Sequence, residues 1–576
     1  MAEAQVKNNS GKKGSAAMRL VMLGLILVCL NFLTSYFHKG LDLTREKRFT
    51  LSDSTVNLLK NMKEVASITV YMKGKFPADM QRMQEAVREE LASFKDIAGK
   101  KLIYTFVDPF EGKAENEQKQ IALELHQKGI EIMPLPTQEE EGYSMKVCFP
   151  YALLQYNGRE MPITLLESPP GKDRTQQIVY ASALLEYKFA SAINELSRAE
   201  SPHVAYLTGH GEDVGQHSID MLQSILAYYN FDTLNLKNNG HISNAYQLII
   251  INNPTTPFTD PEKLRIDQFV MRGGHVLWVV NSLNASMDSL NNGAAKFMAT
   301  ERGLNLDDIL FKYGVRVNND LVQDQSCLEI PILNRYGQME KRDWIYFPKI
   351  NPTGEHPIVK NMDFVKGEFT NSIDTILASG IKKTVLLTTS KYSRTSSSPV
   401  TINLNQAVFP GTNEYFNKPY RNVAVLLEGK FQSVYKGKLA PSYLAHLDSI
   451  NEPFKPQCEK STSIIVTSIG DVFKNDFTQK DGPLRLGYYK YSGELFANKD
   501  FLMNCIEYLT DKSGILESRN KDAKLRLLDK GRTKDEKDMW QAINIGIPIA
   551  LILMFASAYM FFRKKKYEVK MNQNPA

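Results

Sequence analysis

His203-Val204-Ala205-Tyr206-Leu207-Thr208-Gly209-His210-Gly211-Glu212 is the stretch whose reading decides the fold. An apolar run closes on Gly-x-Gly, which reads as a buried strand ending in a sharp turn at the edge of a sheet. A helix is expected over Ile219–Tyr229, then an edge strand Asp232–Leu236 and a buried strand Gln247–Ile251. A loop with Pro254 and Pro257 leads to a helix over Pro261–Met271. Arg272-Gly273-Gly274 then turns into another buried strand, His275–Val280. Apolar strands alternating with helices predict an α/β fold with a doubly wound, mostly parallel sheet. Further strands are expected at Val385–Thr388, Val423–Leu427 and Ser463–Ser468, and a helix at Phe501–Leu509. These elements assign residues 201–512 to one α/β domain. Its interval 291–398 reads as a less regular insertion or an elaborated half of the domain, with Arg394–Pro399 as an exposed loop.

Upstream, residues 44–170 read as a smaller α/β domain. Thr50 and Ser52 are N-cap residue types ahead of a helix carrying Val56, Leu58 and Leu59. Strands follow at Ala66–Met72 and Leu102–Val107, separated by a helix with Met80, Met83, Val87, Leu91 and Phe94 at helical spacing. A helix around Ile121–Gln127 precedes strands Ser144–Leu154 and Glu160–Leu166. Ser168–Lys172 is turn chemistry. Residues 171–200, with an amphipathic run at Ile178–Leu196, read as a linker helix.

The two ends carry apolar runs, Leu20–Phe37 and Ile543–Phe562. Roughly 20 apolar residues cross a bilayer as a helix, so spans are predicted at 18–38 and 541–562. Lys12, Lys13 and Arg19 precede the first run, and Arg563 to Lys566 follow the second. Positive residues stay cytoplasmic, which places tails 1–17 and 563–576 inside and both α/β domains outside, in the periplasm. Lys39, Arg45, Lys47 and Arg48 divide the charge around the first run, so the orientation rests chiefly on the second. The first run ends Thr34-Ser35-Tyr36-Phe37, without the small-x-small pattern of a cleaved signal, and reads as an anchor. Residues 513–540 form a charged approach to the second span.

Mean hydropathy is −0.31 and charged residues make up 23%, which suits a soluble body between the anchors. A net charge of +6, dispersed along 576 residues, is too small to argue for a nucleic-acid partner, and none is predicted. Cys148, Cys327, Cys458 and Cys505 are scattered, with neither a CxxC pair nor a zinc spacing. Among the nine histidines there is no His-x-x-x-His, and no metal site or cofactor is predicted.

Gly209, His210, Gly211 and Glu212 are the candidate ligand-binding residues. A strand ending in Gly-x-Gly before a helix can present backbone N–H groups to an anion. The turn lacks the third glycine of a dinucleotide fingerprint and the lysine of a P-loop. The leading reading of the same residues is a purely structural turn, with His210 and Glu212 hydrogen-bonded to neighbouring loops. The core also invites comparison with flavodoxin-like sheets and with amidotransferase-like ones, in the latter of which a strained turn delivers a nucleophile. Gly273–Ser282 offers no cysteine and no Gly-x-Ser-x-Gly, so no catalytic residue is assigned and a hydrolase is the minority reading.

Three segments in order carry a resemblance: Arg48-Phe49-Thr50-Leu51-Ser52, Val204 to Glu212, and Asn498-Lys499-Asp500-Phe501-Leu502-Met503-Asn504. Leu304 to Leu310 with Tyr313-Gly314-Val315 adds a fourth. Together the chain resembles the gliding-motility-associated ABC-transporter auxiliary family of Bacteroidetes (GldG), often labelled substrate-binding. The resemblance implies an inner-membrane, non-enzymatic subunit partnered by an ABC permease and an ATPase subunit, in gliding or its secretion machinery. Self-association into a homo-oligomer stays open. With no Walker A motif here, ATP hydrolysis would belong to another chain.

Overall fold

Ser52 does what its residue type suggests: its side chain accepts from Thr55 N and caps helix α1, Asp53–Lys60. In the computed structural model the described residues are 50–520 and 536–571, together with 22, 24–26, 28 and 29. Positions 75, 140–141, 167–173, 238–240, 292–295, 335, 408–410, 451 and 512 fall outside that description. Tail 1–17, most of the first predicted span (18–38) and the turn Ser168–Lys172 also lie outside it.

The chain divides into two compact units, residues 1–523 and 524–576. In the first unit, strands β1 (Ala66–Val70) and β2 (Leu102–Phe106) pair in parallel around helix α2 (Ala78–Ala98). The sheet continues antiparallel through β3 (Tyr151–Tyr156) and β4 (Arg159–Thr164), in the order β2-β1-β3-β4. Met80, Met83, Val87, Leu91 and Phe94 of α2 are all buried, as their spacing predicts. The single strand expected at Ser144–Leu154 is two, Gly142–Cys148 and β3, broken at Phe149-Pro150, where proline has no N–H to donate. Helices α3 (Arg174–Ala183) and α4 (Leu185–Ser197) follow. Rather than linking freely, α4 sends Leu185, Phe189 and Ile193 into this core, where Phe189 meets Phe94 edge-on at 6.2 Å.

The larger sheet begins with β5 (His203–Thr208), β6 (Asn230–Asn235), β7 (Leu248–Asn252) and β8 (His275–Val279). Between them run α5 (Ile219–Leu226) and α6 (Asp260–Met271). Strands β9 (Cys327–Leu333), β10 (Met339–Pro352), β11 (Ile381–Thr388), β12 (Asn422–Gly429) and β13 (Thr462–Thr467) complete its main path, in the order β9-β10-β11-β12-β13-β8-β7-β5-β6. Only β6, β5, β7, β8 and β13 are mutually parallel. From β13 outward, β12, β11, β10 and β9 join antiparallel. The mostly parallel sheet expected from the sequence is therefore corrected to a mixed one. Apolar runs such as Val423–Leu427 show that a strand is buried, and partner register alone sets its direction.

One lateral row, Tyr206, Ile250, Leu277, Ile465 and Leu426, is fully buried beneath α5 and helix α7 (Asn498–Thr510). On the opposite face Leu207, Ile251, Trp278 and Val466 pack against α6. Interval 291–398 is rich in strands, not irregular. Arg394–Pro399, expected as an exposed loop, lies largely in strand Ser393–Ser397, paired with Asp320–Asp324 in the register Val322↔Thr395. That partner lies ~70 residues upstream, beyond the reach of any local pattern. The start of the charged approach is a buried 3-10 turn, Ile515–Asn520, in which Ile515 joins the core of the smaller sheet.

In the second unit, helix α8 (Lys537–Met571) contains Pro548 and a 29-residue stretch, Lys537–Lys565, apolar and long enough to cross a membrane. None of its most apolar window is buried against protein.

Candidate functional site

Gly209, His210, Gly211 and Glu212 sit where β5 ends at the carboxyl edge of the sheet, as the sequence implies. Both glycines have left-handed backbone, φ +110° at Gly209 and +88° at Gly211. A Cβ on Gly211 would lie 1.9 Å from Thr255 Oγ1, so the turn needs glycine to approach the loop after β7. That loop donates Thr255 N and Thr256 N to the His210 carbonyl, at 2.7 and 3.0 Å.

The His210 ring is fully buried and stacks on Phe258, centroids 3.8 Å apart and planes within 9°. Two carboxylates face it: Glu262 Oε2 at 3.3 Å from Nε2, and Glu212 Oε1 at 3.8 Å from Nδ1. Neither ring nitrogen has an aligned hydrogen bond, so the contacts are electrostatic more than directional. Burial pushes the Glu212 carboxyl up, against the opposing pull of nearby backbone N–H groups and His210. At Glu262, burial is outweighed by the hydroxyl and amide of Thr259 and by His210, which hold the carboxyl below its ordinary range. The four residues thus form a closed brace that ties β5, the loop after β7 and α6 together. Among the described residues, the side chains beside the ring are two glutamates and a phenylalanine.

A larger concavity lies where the two sheets' domains meet, a cavity of ≈ 980 Å³ that Gly209–Glu212 do not line. Its walls come from α4, α5, α7, the 3-10 turn and the edge of the smaller sheet. At its floor Tyr187 of α4 donates its hydroxyl to Glu507 of α7, and Ser191 donates to the same carboxylate at 3.3 Å. The Arg519 guanidinium lies over the Tyr187 ring, 4.8 Å from its centroid, and donates from Nη1 to Asn504 Oδ1 at 2.7 Å. Burial pushes the Glu507 carboxyl up; the Asp511 charge adds to this, while Tyr187 and Arg519 oppose it. At the rim Arg198 bridges Glu195 and Asp511, and Asn194 donates to Asp511.

Sequence reasoning missed this network. One signal was present: Asn504 and Glu507, three apart, interrupt the apolar stripe Phe501, Leu502, Cys505, Ile506 and Leu509 of α7. Cys148, Cys327, Cys458 and Cys505 are free and buried, and burial raises the thiol at each, to about 12 at Cys148 and Cys327.

Residues 201–505 match the model of a family described as an ABC-type uncharacterized transport system, and residues 45–155 match a domain of unknown function. An uncharacterized protein of Borreliella burgdorferi is 21% identical over 542 residues, covering 91% of this chain and 93% of that one. Among solved structures, the mmIFT52 N-terminal domain covers 54% of this chain and 97% of its own at 12% identity, with a TM-score of 0.30. A ThuA-like protein from Parabacteroides merdae covers 54% and 91% at 11% identity, with a TM-score of 0.26. At those scores neither structure carries an argument.

Proposed function

Since the chain belongs to the ABC-type uncharacterized transport system family through residues 201–505, we propose that it is an extracytoplasmic, non-enzymatic subunit of an ABC transporter. Family membership supports a non-catalytic accessory role in a transport system and, with the apolar helix Lys537–Lys565, association with a membrane. The finer reading is that the terminal helices pack beside a permease while the two-domain body couples to it or gates it. An ATPase subunit would supply the energy, because this sequence has no phosphate-binding loop of its own. In this reading both termini are cytoplasmic, the body is periplasmic, and the complex serves gliding or the secretion behind it.

The observation that carries the proposal is the union, in one chain, of a family-matched body with a 29-residue helix apolar and long enough to cross a membrane. At about 1.5 Å per residue such a helix exceeds the ~30 Å hydrocarbon core. Affinity purification of the tagged full chain from solubilised membranes should co-recover a multi-span permease and an ATPase. Recovery of neither would end this reading.

A further inference from the structure

Arg519 is buried at 4% exposure, yet among the described residues it forms no ion pair. Its guanidinium makes one hydrogen bond, to Asn504, and stacks on Tyr187, while Nε has no partner. A buried cation ordinarily costs several kcal/mol unless a carboxylate and further hydrogen bonds compensate it. A guanidinium also presents five donors in a planar fork that matches carboxylate or phosphate. Other cations on the same lining are spoken for: Arg198 by Glu195 and Asp511, Arg485 by Glu131, Lys499 by Asp220, and Lys188 by the Thr164 carbonyl. Arg519 alone among these five has a buried donor without a partner, while the Asp500 and Glu507 carboxylates lie near enough to support its charge without pairing with it.

The space beside it is large enough to matter. A volume of ≈ 980 Å³ at a junction of domains is the size and place of a small-molecule site. Tyr151, Met161, Tyr228, Phe496 and Met503 give the lining an apolar and aromatic character. The mouth is wet, with the Arg485 and Lys499 side chains 64% and 46% exposed.

We propose that this cleft binds a small amphiphilic anion, a molecule carrying one carboxylate or phosphate on an apolar body, with Arg519 as its charge anchor. Tyr187 fixes the anchor by stacking under the guanidinium while its hydroxyl is held by Glu507. The buried Glu507 carboxyl favours its neutral form more than a surface glutamate does, which lessens repulsion of an anion beside it. The Gly209–Glu212 turn takes no part. The proposal does not rest on a transporter partner, so a failed co-purification leaves it standing.

The test is titration calorimetry on the full chain in lipid nanodiscs, with octanoate and octyl phosphate against octanol as the neutral probe. One of the two anions should bind, at least about tenfold more tightly than octanol, and the stronger of them identifies the headgroup. Arg519→Met should lose about tenfold or more, Arg519→Lys should retain part of the affinity, and Met503→Trp should block the cleft without touching the anchor. If Arg519→Met does not fold, Met503→Trp decides. Equal binding of octanol and the anions, binding indifferent to Met503→Trp, or no binding of either anion would overturn the proposal and leave Arg519 as a structural brace.

Discussion

Tyr187 and Glu507, 320 positions apart in the chain, share a hydrogen bond that pins helix α4 of the smaller domain to helix α7 of the larger one. Ser191 reaches the same carboxylate, and Arg519 covers the tyrosine ring. Removing any one of these groups strands another in a buried place.

Tyr187→Phe keeps the ring under Arg519 and deletes only the hydroxyl. Leaving a buried carboxyl without that donor should cost about 1–3 kcal/mol. Chemical denaturation should show the loss. A double-mutant cycle with Glu507→Gln should show coupling, since the two groups touch. Additive effects would mean the bond does not contribute.

Glu507 also sets a pH dependence. Its folded-state pKa is raised above the unfolded value of ~4.3. The folded state therefore holds the proton more tightly, and this contribution is fully present below the unfolded pKa and is lost as pH rises through the folded pKa. Glu507→Gln mimics the protonated acid and should remove that share of the decline. Unfolding curves of both proteins from acid to neutral pH should diverge in this way; parallel pH profiles would contradict it.

Gly211→Ala should be strongly destabilising, by about 1–3 kcal/mol or more, because the backbone is left-handed and Thr255 occupies the space of the new methyl. Adding Thr255→Ala should recover part of the loss by removing Oγ1. His210→Ala should lower the melting temperature as well, since it takes the ring from between Glu212 and Glu262. An unchanged melting temperature would show that the brace is idle.

Topology is open to direct labelling. Leu377 is 97% exposed, so Leu377→Cys on the body should react with an impermeant maleimide once the outer membrane is permeabilised. Ser10→Cys and Asn574→Cys in the tails should react only after the inner membrane is breached. The native thiols Cys148, Cys327, Cys458 and Cys505 are buried and Cys29 is exposed, so the labelling is done in a Cys29→Ser background. A labelled tail in intact inner membranes would refute the arrangement with both ends inside.

Much of the local structure was legible in residue order. The α2 stripe from Met80 to Phe94, the cap at Ser52 and the strands around Val204, Ile249 and Val276 follow from apolar spacing and short-range chemistry. The Gly-His-Gly-Glu turn was visible too, and the sequence left its role open between ligand and structure. What closes around His210 comes from Phe258 and Glu262, some 50 residues away, so its burial could not be read from the turn itself.

By itself the sequence determined an α/β chain, the buried strands and the apolar C-terminal helix, because these depend on periodicity within one short segment. Only the tertiary structure decided that β12, β11, β10 and β9 run antiparallel and that Ser393–Ser397 is a strand. It also decided that Tyr187, Glu507 and Arg519 meet at one cavity. Strand direction is set by a partner strand outside the segment, and the domain junction by residues as far apart in the chain as Tyr187 and Glu507. Local pattern marks a buried polar position, as at Asn504 and Glu507 in α7, and not the partner it meets.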